Sequence, residues 1–238
     1  RIRARPDASA TTTGRGASRR VIRSILLSAG EASGDALAAG LAAELRSIRP
    51  DLELFGMGGP RMRDAGVELV ARAPGVSGLV EVARHLPSLM RTNARLAEVA
   101  RRRRPDLAVL VDFPDFHLRL ARRLKADRVS AVQYVGPSVW AWRRGRARAF
   151  ADVFRAVLLL FSFERSAWRA SGADVRVVGH PAADRRPPLA PPAQPPWVAL
   201  APGSRAHEVR RHLPILLGAA ERILRRRAIR FRLFAAPD

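Results

Sequence analysis

The sequence predicts an α/β fold with parallel sheets, and three observations predict it. Apolar runs such as ILLSA, LAVLV and VRVVG are continuous rather than alternating and are spaced by helical patterns, as in strands buried on both faces. Turn-forming loops (GEASGD at 30–35, DFPDF at 112–116, PGSR at 202–205) follow three such runs, where a parallel strand hands over to a helix. Finally, PPLAPPAQPP (187–196) interrupts the pattern, which then restarts. Together these describe a Rossmann-like lobe over 21–186, a proline-rich linker, and the beginning of a second Rossmann-like lobe over 197–238.

In order, 21–29 reads as a buried strand and 35–48 as an Ala- and Leu-rich helix. Strands follow at 52–57 and 67–71, then a long helix over about 80–104 that Pro87 starts or kinks. Next come a strand (107–111), a helix (116–126) and strands at 129–135 and 156–161. A helix over 162–172 ends at Gly172, before a strand at 175–179. Past the linker lie a strand (197–201), a helix (205–227) and a strand (229–234). A self-sufficient α/β domain takes roughly 100–150 residues, so 197–238 is expected to be an incomplete lobe.

Composition narrows the function. With no cysteine among 238 residues, disulfides and thiolate metal sites are excluded. The net charge of +22, from 43 basic and 21 acidic residues, predicts an anionic partner: nucleic acid, phospholipid head groups or a phosphorylated substrate. The arginines are scattered, and no helix-turn-helix, RNP or zinc pattern accompanies them, which argues against a specific nucleic-acid partner. No stretch approaches the roughly 18–20 apolar residues of a membrane span. Residues 1–20 have no apolar core for a secretory signal and read as a disordered basic tail, or as a transit-like segment.

The loops carry the candidate chemistry. In GEASGD, Gly30 and Gly34 permit a sharp turn and close ligand approach, and the helix start offers amides to an anion. Ser33 is either part of that site or the helix cap, with Asp35 favouring the positive end of the same helix. Asp112 ends an apolar strand, where desolvation raises a carboxyl toward general-base duty; Asp115 suits the cap of the following helix. No nearby His or Glu completes a metal site around these acids. Trp140 and Trp142 with Arg143 and Arg144 suit a sugar face, acyl chain or base plus a phosphate, or else pack under a loop with the arginines solvated. Gly203, Ser204 and Arg205 combine helix-start amides with a guanidinium, a diphosphate pocket on physical grounds. His180 lies at the same edge, structural or functional alike.

Taken in order, AGEASGD (29–35), GGPRM (58–62), GLVEV (78–82), DFPDF, YVGPSVWAW (134–142), VGHP (178–181) and PGSR resemble the lipid-A-disaccharide synthase family. The resemblance runs from about Ile22 to the C-terminus. It implies a GT-B fold and an inverting, metal-independent glycosyltransferase with no cofactor, peripheral on the cytoplasmic face of the inner membrane. The implied reaction moves diacylglucosamine from UDP-diacylglucosamine to diacylglucosamine 1-phosphate (lipid X), releasing UDP. Asp112 matches the family's essential Asp, acting on the acceptor hydroxyl; Arg205 matches its essential Arg, countering charge on the leaving diphosphate. Gly30, Ser33, Gly34, Gly203 and Ser204 then fall on the donor and diphosphate side, and Trp140, Trp142, Arg143 and Arg144 on the acceptor and lipid side. Expected partners are the two lipid substrates, an anionic membrane surface and a second copy of the chain. Stretch 79–104, with Leu79, Val80, Val82, Leu86, Leu89 and Met90 beside arginines, is a membrane-facing entry or an ordinary core helix. The family pattern continues past the PGSR lobe start, so these 238 residues alone are expected to be catalytically silent. Rival readings are another GT-B UDP-sugar transferase or epimerase, or a basic nucleic-acid-binding protein.

Overall fold

A computed structural model of the chain describes residues 21–73, 86–141, 145–184 and 196–234. It divides into two compact units, Arg1–Asp184 and Arg185–Asp238. The first holds a seven-stranded sheet in the order β3-β2-β1-β4-β5-β6-β7. Its strands are β1 (Ser24–Ala29), β2 (Glu53–Gly58), β3 (Glu68–Arg72), β4 (Leu107–Val111), β5 (Ala131–Tyr134), β6 (Ala156–Leu159) and β7 (Val175–Val177), and every pairing is parallel. Helices α1 (Ala32–Ile48), α2 (Pro60–Asp64), α3 (Leu86–Arg103), α4 (Pro114–Ala126) and α5 (Arg146–Ala151) connect them. The segment 74–85, with Leu79, Val80, Val82 and Arg84 of the expected entry, lies outside the described residues.

Strand parity sorts the apolar runs into two cores. Leu26, Ala108, Leu110 and Ala131 face one side, packed by Leu89 and Leu96 of α3, Leu120 and Leu124 of α4, and Phe150 of α5. Ile25, Leu27, Ala29, Val109 and Val111 face the other, covered by Ala38 and Ala42 of α1. Continuous apolar strands are the consequence of burying both faces. Strand order reverses between β1 and β4, which pair from Ile25↔Leu107 to Ala29↔Val111. The loops leaving their carboxyl ends diverge and open a crevice there.

Several local expectations are corrected. Helix α1 starts at Ala32 with Glu31 at its N-cap position, so the exposed Ser33 is inside the first turn and does not cap it. Asp35, also on α1, serves a different helix: its buried carboxylate accepts hydrogen bonds from the amides of Gly59 (2.7 Å), Arg61 (3.1 Å) and Met62 (3.1 Å) at the start of α2. Asp35→Ala orphans those donors and is expected to cost about 2–4 kcal/mol in urea unfolding. Helix α4 starts at Pro114, whose fixed φ suits the first helical position, so Asp115 lies in the first turn and is not the cap. Residues Ser162–Ser171 form a 3-10 helix rather than an α-helix. There the hydroxyls of Ser166 and Ser171 bond the carbonyls three residues back, Phe163 and Trp168, which favours the tighter winding. Helix α5, short and arginine-rich, had no legible periodicity.

The second unit contains β8 (Trp197–Leu200), α6 (Ala206–Leu224) and β9 (Arg230–Leu233), with β8 and β9 parallel. The guanidinium of Arg232 lies 4.6 Å from the Trp197 ring centroid. Helix α6 buries Ala220 but leaves Ile215, Leu217 and Leu224 exposed.

Candidate active site

The β1–β4 crevice gathers the first two glycine and acidic loops. Asp112 follows β4 in the left-handed region (φ 54°), and Phe113 repeats that conformation (φ 48°). For residues with a Cβ this conformation costs roughly 1–2 kcal/mol each. Gly30 lies so near Phe113 that a Cβ there would meet the ring at 2.2 Å, so only glycine fits. Gly34 approaches the carbonyl of Val111 and the Cβ of Asp112. The structure thus brings Gly30, Gly34 and Asp112 together, with Ser33 on the exposed first turn beside them.

Buried polar side chains hold the strained turn. The Asp112 carbonyl accepts from His117 Nδ1 (2.6 Å) and Gln133 Nε2 (2.9 Å). Gln133 Nε2 also donates to the carbonyl of Val135 (3.1 Å), itself left-handed at φ 66°. His117 Nε2 lies 3.0 Å from the Ser28 hydroxyl. Ser28, His117 and Gln133 are all fully buried. A carbonyl only accepts, so Nδ1 carries the proton; burial lowers the His117 pKa to about 4, keeping the ring neutral and leaving Nε2 to accept from Ser28. Burial pushes the Asp112 carboxyl above the usual carboxylate range, opposed by a hydrogen bond from the Phe113 amide.

None of Ser28, His117 and Gln133 was singled out by the sequence. The signals were available: Ser28 and Gln133 are polar residues in apolar strands, and His117 shares the apolar face of α4 with Leu120 and Leu124. Arg146 was missed as well. It lines, with Asp112, Pro114, Gly136 and Ser138, a cavity of about 290 Å³ beside the crevice, and pairs with Asp115. A larger cavity of about 990 Å³, lined by Arg104, Asp106, Arg128 and Arg155, lies at the opposite, amino edge of the sheet, away from these loops.

Trp140 is 45% exposed and meets Phe163 edge-to-face at 5.3 Å, a surface ring rather than one packed under a loop. Trp142, Arg143 and Arg144 lie outside the described residues. His180 stands at the N-cap of a short 3-10 turn. Its Nδ1 accepts from the Ala182 amide (3.1 Å) at the start of a 3-10 turn, and the ring stacks on Phe161.

In the second unit Gly203 adopts φ 131°, and Gly203, Ser204 and Arg205 lead into α6. The amides of Ser204 and Arg205 have a partner within the chain. The Glu208 carboxylate accepts from the amides of Ser204 (3.0 Å) and Arg205 (3.1 Å) and pairs with the Arg205 guanidinium (3.2 Å). Those bonds, chiefly the one from Ser204, pull the Glu208 carboxyl below its ordinary value. The loop does bind an anion, one supplied by its own helix. Among the described residues no group of three or more His, Cys, Asp or Glu side chains could hold a metal ion, and no helix is long and apolar enough to cross a membrane.

A parallel sheet with this strand order and an acidic turn at its switch point defines a Rossmann-like α/β lobe of GT-B type. Solved structures with the same fold include a UDP-N-acetylglucosamine 2-epimerase (TM-score 0.59, 11% identity, 92% of this chain and 70% of that one). Another is MurG of Acinetobacter baumannii (TM-score 0.51, 10% identity, 91% of this chain and 66% of that one). At such identities the likeness is one of fold. Sequence carries it further: residues 25–234 match the lipid-A-disaccharide synthetase family, and the chain belongs to that family. It is 45% identical over 215 residues to a lipid-A-disaccharide synthase of Anaeromyxobacter dehalogenans, covering 86% of this chain and 56% of the relative. The corresponding protein of Myxococcus xanthus is 45% identical over 211 residues, covering 84% of this chain and 55% of the relative. The chain therefore spans about half the length of the curated relatives it matches.

Proposed function

We propose that this chain carries the acceptor-side lobe, and the opening of the donor-side lobe, of an inverting glycosyltransferase of lipid A synthesis. In this reading diacylglucosamine passes from UDP-diacylglucosamine to diacylglucosamine 1-phosphate, giving the disaccharide 1-phosphate and UDP. Asp112 removes the proton from the acceptor hydroxyl as that oxygen attacks the anomeric carbon. The UDP leaving group departs from the opposite face, and Arg205 counters its charge. Inverting transfer requires a base for the attacking hydroxyl and a counter-charge for the leaving diphosphate.

The observation that best supports the reading is Asp112 itself: a carboxyl whose pKa burial raises above its ordinary value, in a turn fixed by buried hydrogen bonds, in a chain of this family. Glu208, seated on the Ser204 and Arg205 amides, occupies donors that a diphosphate would use. Substrate binding therefore displaces Glu208 or leaves Arg205 to act through its side chain alone. In this reading the protein works at an anionic membrane surface, peripheral on the cytoplasmic side of the inner membrane; acylated substrates and the excess of arginine support it. Trp140 adjoins the acceptor, and a second copy of the chain is a compatible partner.

The test is UDP release dependent on lipid X, measured with a chimera in which residues 1–238 continue into the C-terminal part of the Myxococcus xanthus relative. Arg205→Ala in that chimera is expected to slow turnover about 100-fold. Turnover on soluble acceptors in place of lipid X would overturn the substrate assignment. The 238-residue chain alone is expected to release no UDP in the same assay.

A further inference from the structure

Arg146, the first residue of α5, lines the 290 Å³ cavity together with Asp112. Its side chain is only 14% exposed, whereas its partner Asp115 is 72% exposed. An ion pair whose carboxylate stands in water is screened and readily exchanged, so a phosphate can compete with Asp115 for the guanidinium. The fork of a guanidinium, by contrast, matches a phosphate with paired charge-assisted hydrogen bonds. Base and cation both line this one cavity. The volume is at the lower end of the roughly 300–1,000 Å³ typical of small-molecule sites.

We propose that Arg146 is the phosphate-binding residue of the acceptor subsite, holding the phosphomonoester of an amino-sugar phosphate whose hydroxyl end faces Asp112. This rests on the reading of Asp112 as the base that takes the acceptor proton. An anion bound in the cavity of that base belongs to the acceptor rather than to the leaving diphosphate. Asp115 is then a resident carboxylate that releases the guanidinium when phosphate arrives. The phosphate selects the acceptor, and the distance across one sugar ring sets which hydroxyl reaches the base.

Binding to the 238-residue chain tests this without turnover. Glucosamine 1-phosphate, glucosamine, inorganic phosphate and UDP are titrated while backbone amide shifts of the non-proline residues within 112–116 and 135–139 are followed by NMR. Glucosamine 1-phosphate is expected to bind at least about tenfold more tightly than either glucosamine or inorganic phosphate. Arg146→Gln should abolish that preference, weakening binding about 10- to 100-fold, and Arg146→Lys should lose about tenfold because it keeps charge but not the fork. Asp115→Asn removes the competing carboxylate and should tighten binding; since it leaves Arg146 in place, it guards against misreading an unfolded Arg146 variant. Equal binding of the phosphorylated and plain sugars, wild-type binding by a folded Arg146→Gln, or competition by UDP at these amides would each overturn the proposal. Equal binding of inorganic phosphate would reduce the site to a bare anion site and overturn it too. A chimera that fails to release UDP while this binding persists would sink the transfer reading and leave the subsite standing.

Discussion

Asp112→Asn is expected to slow sugar transfer by the completed chimera about a thousandfold while making the 238-residue chain more stable at neutral pH. The first effect follows from removing a general base, which contributes roughly 10²- to 10⁴-fold. The second follows from burial. The folded-state pKa of Asp112 is raised above its ordinary 3.8, so the protonated carboxyl favours the fold. That contribution is fully present below the ordinary value and is lost as pH rises through the raised one. Above the raised value the ionised, desolvated carboxylate opposes folding, and a neutral amide does not. Thermal melts at pH 7 should show a higher Tm for the variant, with the gain shrinking as pH falls toward 4. The pH–rate profile gives the kinetic counterpart: kcat/KM rises with pH through an apparent pKa above the usual carboxylate range and flattens once the base is ionised. An unchanged turnover for Asp112→Asn would remove this residue from the chemistry, and an unchanged Tm would deny that it is held at a cost.

His117→Ala should be the most damaging single change to stability, at about 3–5 kcal/mol in urea unfolding at pH 7. It opens a cavity beside the Phe113 and Phe116 rings, orphans the Ser28 hydroxyl and removes one of the donors on the Asp112 carbonyl. The pH dependence identifies the cause. Burial lowers the His117 pKa from 6.5 to about 4, so the neutral ring favours the fold. Its contribution is complete above pH 6.5 and is lost as pH falls through the folded value. The wild-type chain should therefore lose about 3 kcal/mol from this group between those limits. His117→Leu, which fills much of the space without titrating, should lack that slope. Asp112 works in the opposite sense over the acid range, so the Asp112→Asn chain should show a steeper acid loss than wild type. A parallel decline in wild type and His117→Leu would mean that the ring is not buried neutral.

The sheet was legible because burial on both faces writes itself into composition. LAVLV and ILLSA, continuous apolar runs spaced by helical patterns, argue for buried parallel strands, and the carboxyl edge follows from their order. Asp112 was legible for the same reason, as the first polar residue after such a run. Its clamp was not. Ser28 and His117 are 89 residues apart, and Gln133 lies 21 from Asp112, so only the register of β1, β4 and β5 brings them to one sheet face. Caps were misread where a stronger local rule intervened. Pro114 took the helix start from Asp115, and the first helix begins one residue before Ser33, which leaves the cap position to Glu31. The PGSR amides were recognised as an anion site, but a glutamate four residues beyond Ser204 supplied the anion.

One amide nitrogen, that of Gln133, ties the turn after β4 to the turn after β5. For protein engineers this means the two segments are inherited as a pair. Grafting the 112–116 segment of a relative to alter acceptor choice, without transplanting the residues at 28, 117 and 133 that grip it, would hand the new loop to a scaffold shaped for another. Conversely, a library that varies 135–139 while keeping Gln133 can reshape the cavity wall with the base still in position.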